Sequence, residues 1–204
     1  MTPDQVAALF TRADGSYLFA RWGRPVVPVV FGVEADTLAV VKGALEAVVA
    51  LAGQRIGEVD TELGANLMLF FLREWDELAQ TPNLDRLLPD LGPLVARLQA
   101  AQANQYRVFR FDAAGSIRAA FVFVRMDAAM TAIPAEALAL AQAVQVILLW
   151  SDVAFAGSSP LGLLEGVAMV RPDVAAVIRA GNDPALPDVS RDPAHAYRLA
   201  ARIG

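Results

Sequence analysis

Apolar residues in the first part of the chain recur in three- and four-residue steps, and this spacing predicts an amphipathic helix between Glu34 and Ala52. Asp36 is the expected N-cap, because its carboxylate can accept a hydrogen bond from a free amide of the first turn. Gly53 is expected to end the helix, because glycine readily adopts the left-handed conformation that terminates helices.

Short apolar runs predict strands in the first two thirds of the chain. Val26–Phe31 contains Pro28, which cannot donate a hydrogen bond to a neighbouring strand, so an edge position or a bulge is expected. Leu67–Leu72 is apolar at every position, which is typical of a strand buried on both faces. Tyr106–Phe111 and Ile117–Val124 flank a five-residue, glycine-containing loop and predict a β-hairpin.

Helical patterns dominate the end of the chain. An apolar helix is predicted with Pro134 as its first residue, reaching about Trp150, and a second over Pro172–Ala180. The Ser/Gly-rich segment at 151–170 is expected to be an irregular connection. Strands therefore precede helices without alternation, which predicts an α+β fold in a single domain over residues 1–204.

Composition and charge exclude several classes of partner. The net charge is −5, Lys42 is the sole lysine and the arginines are scattered. Nucleic-acid binding and attraction to anionic membranes both need clustered basic residues, so neither is expected. Apolar runs fall short of the roughly 20 residues that span a bilayer, so no membrane span is expected. Without a secretory signal pattern, a cytoplasmic location is expected.

The content of apolar residues suggests a further kind of partner. Hydrophobic residues make up 56% of the chain, and many of them are small alanine and valine side chains. This composition favours closely packed helices and a surface for self-association, so a homo-oligomer is one expectation.

The residue types needed for familiar catalysis are scarce. The chain has no cysteine and one histidine, His195, so thiol nucleophiles and conventional zinc sites are excluded. Glycine-rich phosphate loops and the Gly-x-Ser-x-Gly nucleophile motif are also absent from the sequence. Neither a cofactor nor a metal is expected. A last helix is predicted to start at Asp192-Pro193 and to run through Leu199 and Ile203, and His195 in its first turn is expected to lie on the surface.

Two groups of polar residues remain as candidates. Glu58, Asp60 and Glu62 alternate, as in a solvated loop or edge strand, although oxygen ligands on one face could also hold a hard cation. Gln142 and Gln145 lie three apart and share one face of the apolar helix that follows Pro134. This face is either exposed to solvent or lines a polar cleft, since buried amides require hydrogen-bond partners.

Four short stretches, in this order along the chain, resemble the motifs of a known family. They are Arg21-Trp22-Gly23-Arg24-Pro25-Val26, Gly64-Ala65-Asn66-Leu67, Ala141–Gln145 running on to Ser151-Asp152, and Asn182-Asp183-Pro184-Ala185-Leu186-Pro187. The family is a group of uncharacterised proteobacterial proteins called domain of unknown function 2927, which resembles zincin-type metallopeptidases. The matches are spread over most of the chain.

The resemblance implies a particular fold and a degenerate site. The fold is a single zincin-like domain with a mixed, mostly antiparallel sheet, the helix near 36–53 packed on it and the helix near 134–150 beneath a cleft. In an active zincin the second of these helices reads H-E-x-x-H. Here Ala141, Gln142 and Gln145 occupy the ligand, base and ligand positions, and Asp152 follows the helix. Because alanine and neutral amides replace these groups, the resemblance implies no catalytic residues.

Three hypotheses for function follow. The first is a catalytically inactive zincin-like protein that binds a peptide or protein partner in its cleft. The second is a metal-independent hydrolase that uses carboxylates such as Glu58, Asp60 or Asp152. The third is a structural, oligomeric domain. The resemblance also implies exported relatives, in contrast to the cytoplasmic location expected from the N-terminus.

Overall fold

The computed structural model describes residues 1–58 and 64–203 of the chain. The helices in these ranges are α1 (Pro3–Ala8), α2 (Ala35–Leu51), α3 (Glu77–Gln80), α4 (Leu84–Leu87), α5 (Leu91–Ala100), α6 (Ala128–Thr131), α7 (Ala135–Ile147), α8 (Pro172–Gly181) and α9 (His195–Ile203). The strands are β1 (Phe19–Ala20), β2 (Pro28–Phe31), β3 (Leu67–Leu72), β4 (Gln105–Phe111), β5 (Ile117–Arg125), β6 (Leu161–Leu164), β7 (Val167–Val170) and β8 (Val189–Ser190). None of these helices combines the length and apolar character needed to cross a bilayer.

A four-stranded mixed sheet in the order β2-β3-β5-β4 forms the centre of the fold. The β2–β3 and β3–β5 pairs are parallel and the β4–β5 pair is antiparallel, while β1–β8 and β6–β7 form two small antiparallel sheets. Within the described residues three of the five strand pairings are antiparallel. The predicted α+β class with a mixed sheet is therefore confirmed. The hairpin, the strand over Leu67–Leu72 and the edge position of Pro28 are confirmed as well.

The central strands of the sheet are covered by a core on each face, and their side chains alternate between the two cores. In β3, Leu67 and Leu69 point into a large core that includes residues of α2, α7 and α8. Phe70 and Leu72 point into a second core with residues of α3, α4 and α5, where the ring of Phe70 stacks on that of Phe123 at 5.1 Å. The all-apolar sequence of β3 is the consequence of this two-sided burial.

The ends of two helices differ from the predictions. Glu34, not Asp36, is the N-cap of α2, and its side chain makes no capping hydrogen bond. Gly53 follows the helix with φ = +71°, as predicted. In α7, Pro134 is the N-cap and not the first helical residue, and the helix ends at Ile147, three residues before Trp150.

The early end of α7 has a visible cause. The indole N–H of Trp22 donates to the carbonyl of Val146 at 2.8 Å, and that of Trp150 donates to the carbonyl of Val144 at 2.7 Å. Both indoles are buried. Helix-end carbonyls that lie away from water need such donors. Because the indoles supply them, the chain can leave the helix and form an extended bridge between Leu148 and Arg21, the residue that follows β1.

The segment from 151 to 170 is more ordered than the Ser/Gly content predicts. Residues Leu161–Leu164 and Val167–Val170 form the antiparallel hairpin β6–β7. Gly166 has φ = +83° and lies in the two-residue turn between the strands. Glycine adopts this conformation without steric cost, which is why it is common in two-residue hairpin turns. The prediction of an irregular connection is therefore wrong for this part of the segment.

Two of the stretches that carry the family resemblance hold distant segments together. The guanidinium of Arg21 donates to the carboxylate of Asp188 at 2.6 Å and to the carbonyls of Asp183 and Leu186 at 3.0 and 3.1 Å. The buried amide of Asn66 accepts from the backbone N–H of Val27 at 2.7 Å and donates to the carbonyl of Pro25 at 2.9 Å, both in the segment that leads into β2. These side chains therefore fix the loops around the sheet.

His195 is buried and not on the surface, so that expectation is wrong. Its side chain is 2% exposed, its Nδ1 lies 3.0 Å from the hydroxyl of Tyr17, and its ring lies 4.5 Å from that of Phe19. The first turn of α9 thus packs inward against the N-terminal region. Burial disfavours the charged imidazolium and lowers the pKa of His195 to about 4.

The lowered pKa of His195 predicts loss of stability in mild acid. At pH values between the unfolded pKa of about 6.5 and the folded pKa of about 4, the imidazole is protonated in the unfolded chain and neutral in the folded chain. The free energy of unfolding should therefore fall as the pH falls through this window, by about 2 kcal/mol between pH 7 and pH 5. Urea titrations at both pH values would measure the loss. His195→Gln should show a smaller loss, and an equal loss in the variant would contradict the assignment to His195.

The indole donors at the end of α7 predict a specific destabilisation. Trp22→Phe keeps an aromatic ring but leaves the buried carbonyl of Val146 without its donor, which should lower the free energy of unfolding by about 1–3 kcal/mol. Chemical denaturation followed by circular dichroism would measure the change. Tyr197→Phe, at a side chain that is 62% exposed, is the matched control and should change the value by less than about 0.5 kcal/mol.

Candidate functional site

A groove lies where β4, the C-terminal half of α7 and the chain from Ser151 to the β6–β7 hairpin meet. It consists of two adjoining cavities of about 480 and 430 Å³, both lined by Gln145. We call it the β4 groove. The first cavity is lined by Arg12, Arg107, Phe109, Trp150, Asp152 and Phe155, among others. The second is lined by Gln105, Ala141, Gln142, Leu161, Leu163 and Ala168, among others.

The backbone of β4 is open along the edge of the sheet next to this groove. Among the described strands β4 pairs with β5 alone, and the N–H of Arg125 donates to the carbonyl of Asn104 at 2.8 Å. Hydrogen-bonded and non-hydrogen-bonded pairs alternate in antiparallel strands. The N–H and C=O groups of Gln105, Arg107 and Phe109 therefore point away from β5. In the described part of the chain no group bonds to them.

The two glutamines of α7 lie in the groove. Gln142 is 1% exposed; its Oε1 accepts from Nη2 of Arg107 at 2.6 Å and its Nε2 donates to Oε1 of Gln105 at 2.9 Å. The Nε2 of Gln145 donates to the carbonyl of Ala141 at 3.2 Å, and its side chain borders both cavities. Solvent exposure is therefore wrong for Gln142, which is buried in polar contacts between α7 and β4, while Gln145 borders the groove.

The remaining sequence candidates are separated in space. Asp152 lines the first cavity, is exposed, and accepts a hydrogen bond from the N–H of Ala13 at 3.1 Å. Glu58 is exposed in the segment after α2 and does not line either cavity. Asp60 and Glu62 lie outside the described residues. Among the described residues that line the groove, Asp152 is the sole carboxylate.

Arg107 is the main charged residue of the groove, and the sequence pattern alone did not identify it. Its Nη2 donates to the amide oxygens of Gln142 and Gln105 at 2.6 and 2.9 Å. Its Nε is buried without a hydrogen-bond partner, and within residues 1–58 and 64–203 no carboxylate forms an ion pair with it. Burial lowers the pKa of the guanidinium to about 10, so the group stays cationic at neutral pH.

A weak signal for Arg107 does exist in the sequence. Gln105 and Arg107 alternate with Tyr106 and Val108, so the first part of one face of this strand is polar, although the neighbouring strand β5 is mostly apolar. Paired with the polar face of α7 at Gln142, this alternation indicates a polar layer between strand and helix. This pattern is informative only once β4 and α7 are known to face each other.

The side chains of the groove offer hydrogen bonding and charge. Amides, two guanidinium groups and one carboxylate provide donors and acceptors, and Phe109, Trp150 and Phe155 provide apolar walls. Across the residues that the structure describes, no three His, Asp or Glu side chains are grouped so as to hold a metal ion. The arrangement is suited to binding a polar, extended ligand.

Comparison with known proteins adds no further constraint on the role of this groove. The chain matches no protein-family model, no curated protein and no solved structure. The resemblance to the zincin-like family therefore rests on the motif residues alone, and function has to be argued from the geometry of the β4 groove.

Proposed function

We propose that this protein is a catalytically inactive, zincin-like binding protein that takes up an extended peptide segment of a partner as an added strand along β4. The observation that carries the proposal is the row of backbone groups at Gln105, Arg107 and Phe109 that have no partner among the described residues, on a strand whose side chains line the β4 groove. Backbone hydrogen bonds to such an edge supply affinity, and pockets for alternate side chains supply specificity.

The β4 edge is unprotected in a way that supports this role. Exposed edge strands invite pairing with other chains, and folded proteins normally block them with proline, bulges or covering segments. On the opposite edge of the sheet, β2 begins with Pro28. In β4 the irregularity comes only at the end, between Arg110 and Phe111. The part from Gln105 to Phe109 is regular and available to a partner strand.

The β6–β7 hairpin adds an apolar wall to the groove. Leu163 is 78% exposed and Leu164 is 60% exposed, and Leu163 lines the second cavity. Large exposed apolar side chains that cluster beside a groove are typical of an interaction surface. An apolar side chain of the bound peptide would pack against Leu163, and this contact would remove both apolar side chains from water.

The chemistry of the groove supports binding more than hydrolysis. A two-carboxylate mechanism needs a second acid at a defined distance from the first, whereas Asp152 is the one acid among the described lining residues. The amides of Gln142 and Gln145 do not accept protons as a general base must.

Hydrogen exchange would test strand addition directly. Peptides selected from a displayed random library against the full chain should slow exchange of the Arg107 and Phe109 amides by about tenfold or more, because these amides gain partners. The amides of Tyr106 and Val108, already bonded to β5, are internal controls and should change little. Protection confined to other surfaces, or a library that yields no binder, would contradict the proposal.

A proline substitution would test the same edge from the protein side. Phe109→Pro removes one outward N–H from an edge strand, where proline is tolerated, and should weaken binding of a selected peptide by about tenfold. Phe109→Val removes the aromatic ring but keeps the amide, and is the matched control. Calorimetric titration would measure both affinities; equal losses would show that the ring, not the backbone, binds the peptide.

The hairpin predicts a separate effect on affinity. Leu163→Ser should weaken peptide binding roughly fivefold to tenfold, since it removes an apolar contact in the second cavity. Leu164→Ser changes a similarly exposed leucine that does not line the cavity, and should leave affinity unchanged. Light scattering on the same variants would report self-association; loss of an oligomer in both would assign the hairpin to contact with a second copy of the chain.

A further inference from the structure

The incomplete hydrogen bonding of Arg107 points to a ligand group. A guanidinium carries five N–H donors, and in the described part of the chain Arg107 uses those of Nη2 alone, toward Gln105 and Gln142. Its Nε is buried without an acceptor among the described residues, whereas its Nη1 is not fully buried and donates to no described group. Uncompensated burial of a charged donor is unfavourable, and most buried donors find acceptors.

The neighbours of Arg107 hold it in place without neutralising it. Both acceptors are neutral amide oxygens, and the amides also bond to each other at 2.9 Å. The guanidinium is thereby oriented at the floor of the groove while its charge remains uncompensated. A side chain with a purely structural role in this position would be expected to pair with a carboxylate.

The local charge of the first cavity is opposite to that of the whole chain. Its charged lining residues are Arg12, Arg107 and Asp152, which leaves an excess of one positive charge in a chain of net charge −5. Asp152 already accepts a hydrogen bond from the N–H of Ala13. The cavity therefore complements an anionic group and not a cationic one.

We infer that Arg107 recognises a carboxylate of the peptide that occupies the β4 groove. This inference rests on the proposed function and specifies the chemistry of its ligand. A carboxylate is the planar acceptor that a guanidinium binds most strongly in a peptide. It comes either from the C-terminus of the peptide or from a Glu or Asp side chain. In both cases the N–H groups of Nη1, which have no partner among the described residues, donate to its oxygens in the first cavity.

A small-molecule titration would test Arg107 independently of strand addition. N-acetylglutamate, added to the full chain at millimolar concentrations, should shift the side-chain Nε–H resonance of Arg107 in a saturable way, and its neutral diamide should not. If the carboxylate shifts this resonance while peptides leave the β4 amides unprotected, the inference about Arg107 stands and strand addition fails. Absence of a shift, or an equal shift with the diamide, would overturn the inference.

Peptide variants would then identify the source of the carboxylate. For a selected peptide, Arg107→Gln should weaken binding by about tenfold to a hundredfold, and Arg107→Lys, which keeps the charge but not the planar fork, by less. Arg110→Gln is the control, because it removes the same charge from the opposite face of the same strand. Thermal unfolding would verify that each variant is folded.

The loss of affinity caused by Arg107→Gln should disappear when the peptide lacks the carboxylate that Arg107 recognises. Amidation of the C-terminus and replacement of each Glu or Asp by its amide are tested one at a time, and the change that makes wild type and Arg107→Gln bind equally identifies the carboxylate. If no such change affects the ratio of the two affinities, Arg107 does not bind a carboxylate and the inference is wrong.

Discussion

The arrangement of this protein around its groove depends on how α7 ends. Two buried indoles, from Trp22 and Trp150, donate to carbonyls of the last turns of the helix. Since these carbonyls are satisfied without a further turn, the chain continues as an extended segment in which Leu148 bridges to Arg21, the residue that follows β1. That change of direction brings Trp150 and the residues after it against the first cavity, while Gln145 borders both cavities. Hydrogen bonding of the backbone carbonyls at one helix end thus determines the shape of the β4 groove.

The polar layer between α7 and β4 gives this surface its chemistry. Gln142 and Gln105 bond to each other and to Arg107, so a cation is held rigidly by neutral partners. The outer backbone of the strand that carries Arg107 has no hydrogen-bond partner among the residues that the structure describes. A ligand that extends the sheet would therefore meet a charge at a defined position along its length. The two proposals made for this protein are linked by that geometry, although each can be tested separately.

Regions far apart in the chain are joined by a few buried polar groups around the main core. Arg21 connects β1 to the loop that precedes β8, and His195 packs the last helix against Tyr17 and Phe19. The motifs that suggested a family resemblance include Arg21, Trp22 and Asn66, and all three make such connections. In this structure those residues maintain the fold around the groove, which accounts for their residue types on physical grounds.

The sequence by itself determined the elements whose signals are local. The body of α2, the strand β3 and the β4–β5 hairpin follow from spacing, two-sided burial and turn chemistry, and the edge position of β2 follows from the missing N–H of Pro28. Tertiary structure decided the burial of His195, the end of α7 and the contact of Gln142 with Arg107, which is 35 positions away in the chain. These features depend on partners that only folding brings together, because a buried polar group is stable only where a distant donor or acceptor meets it.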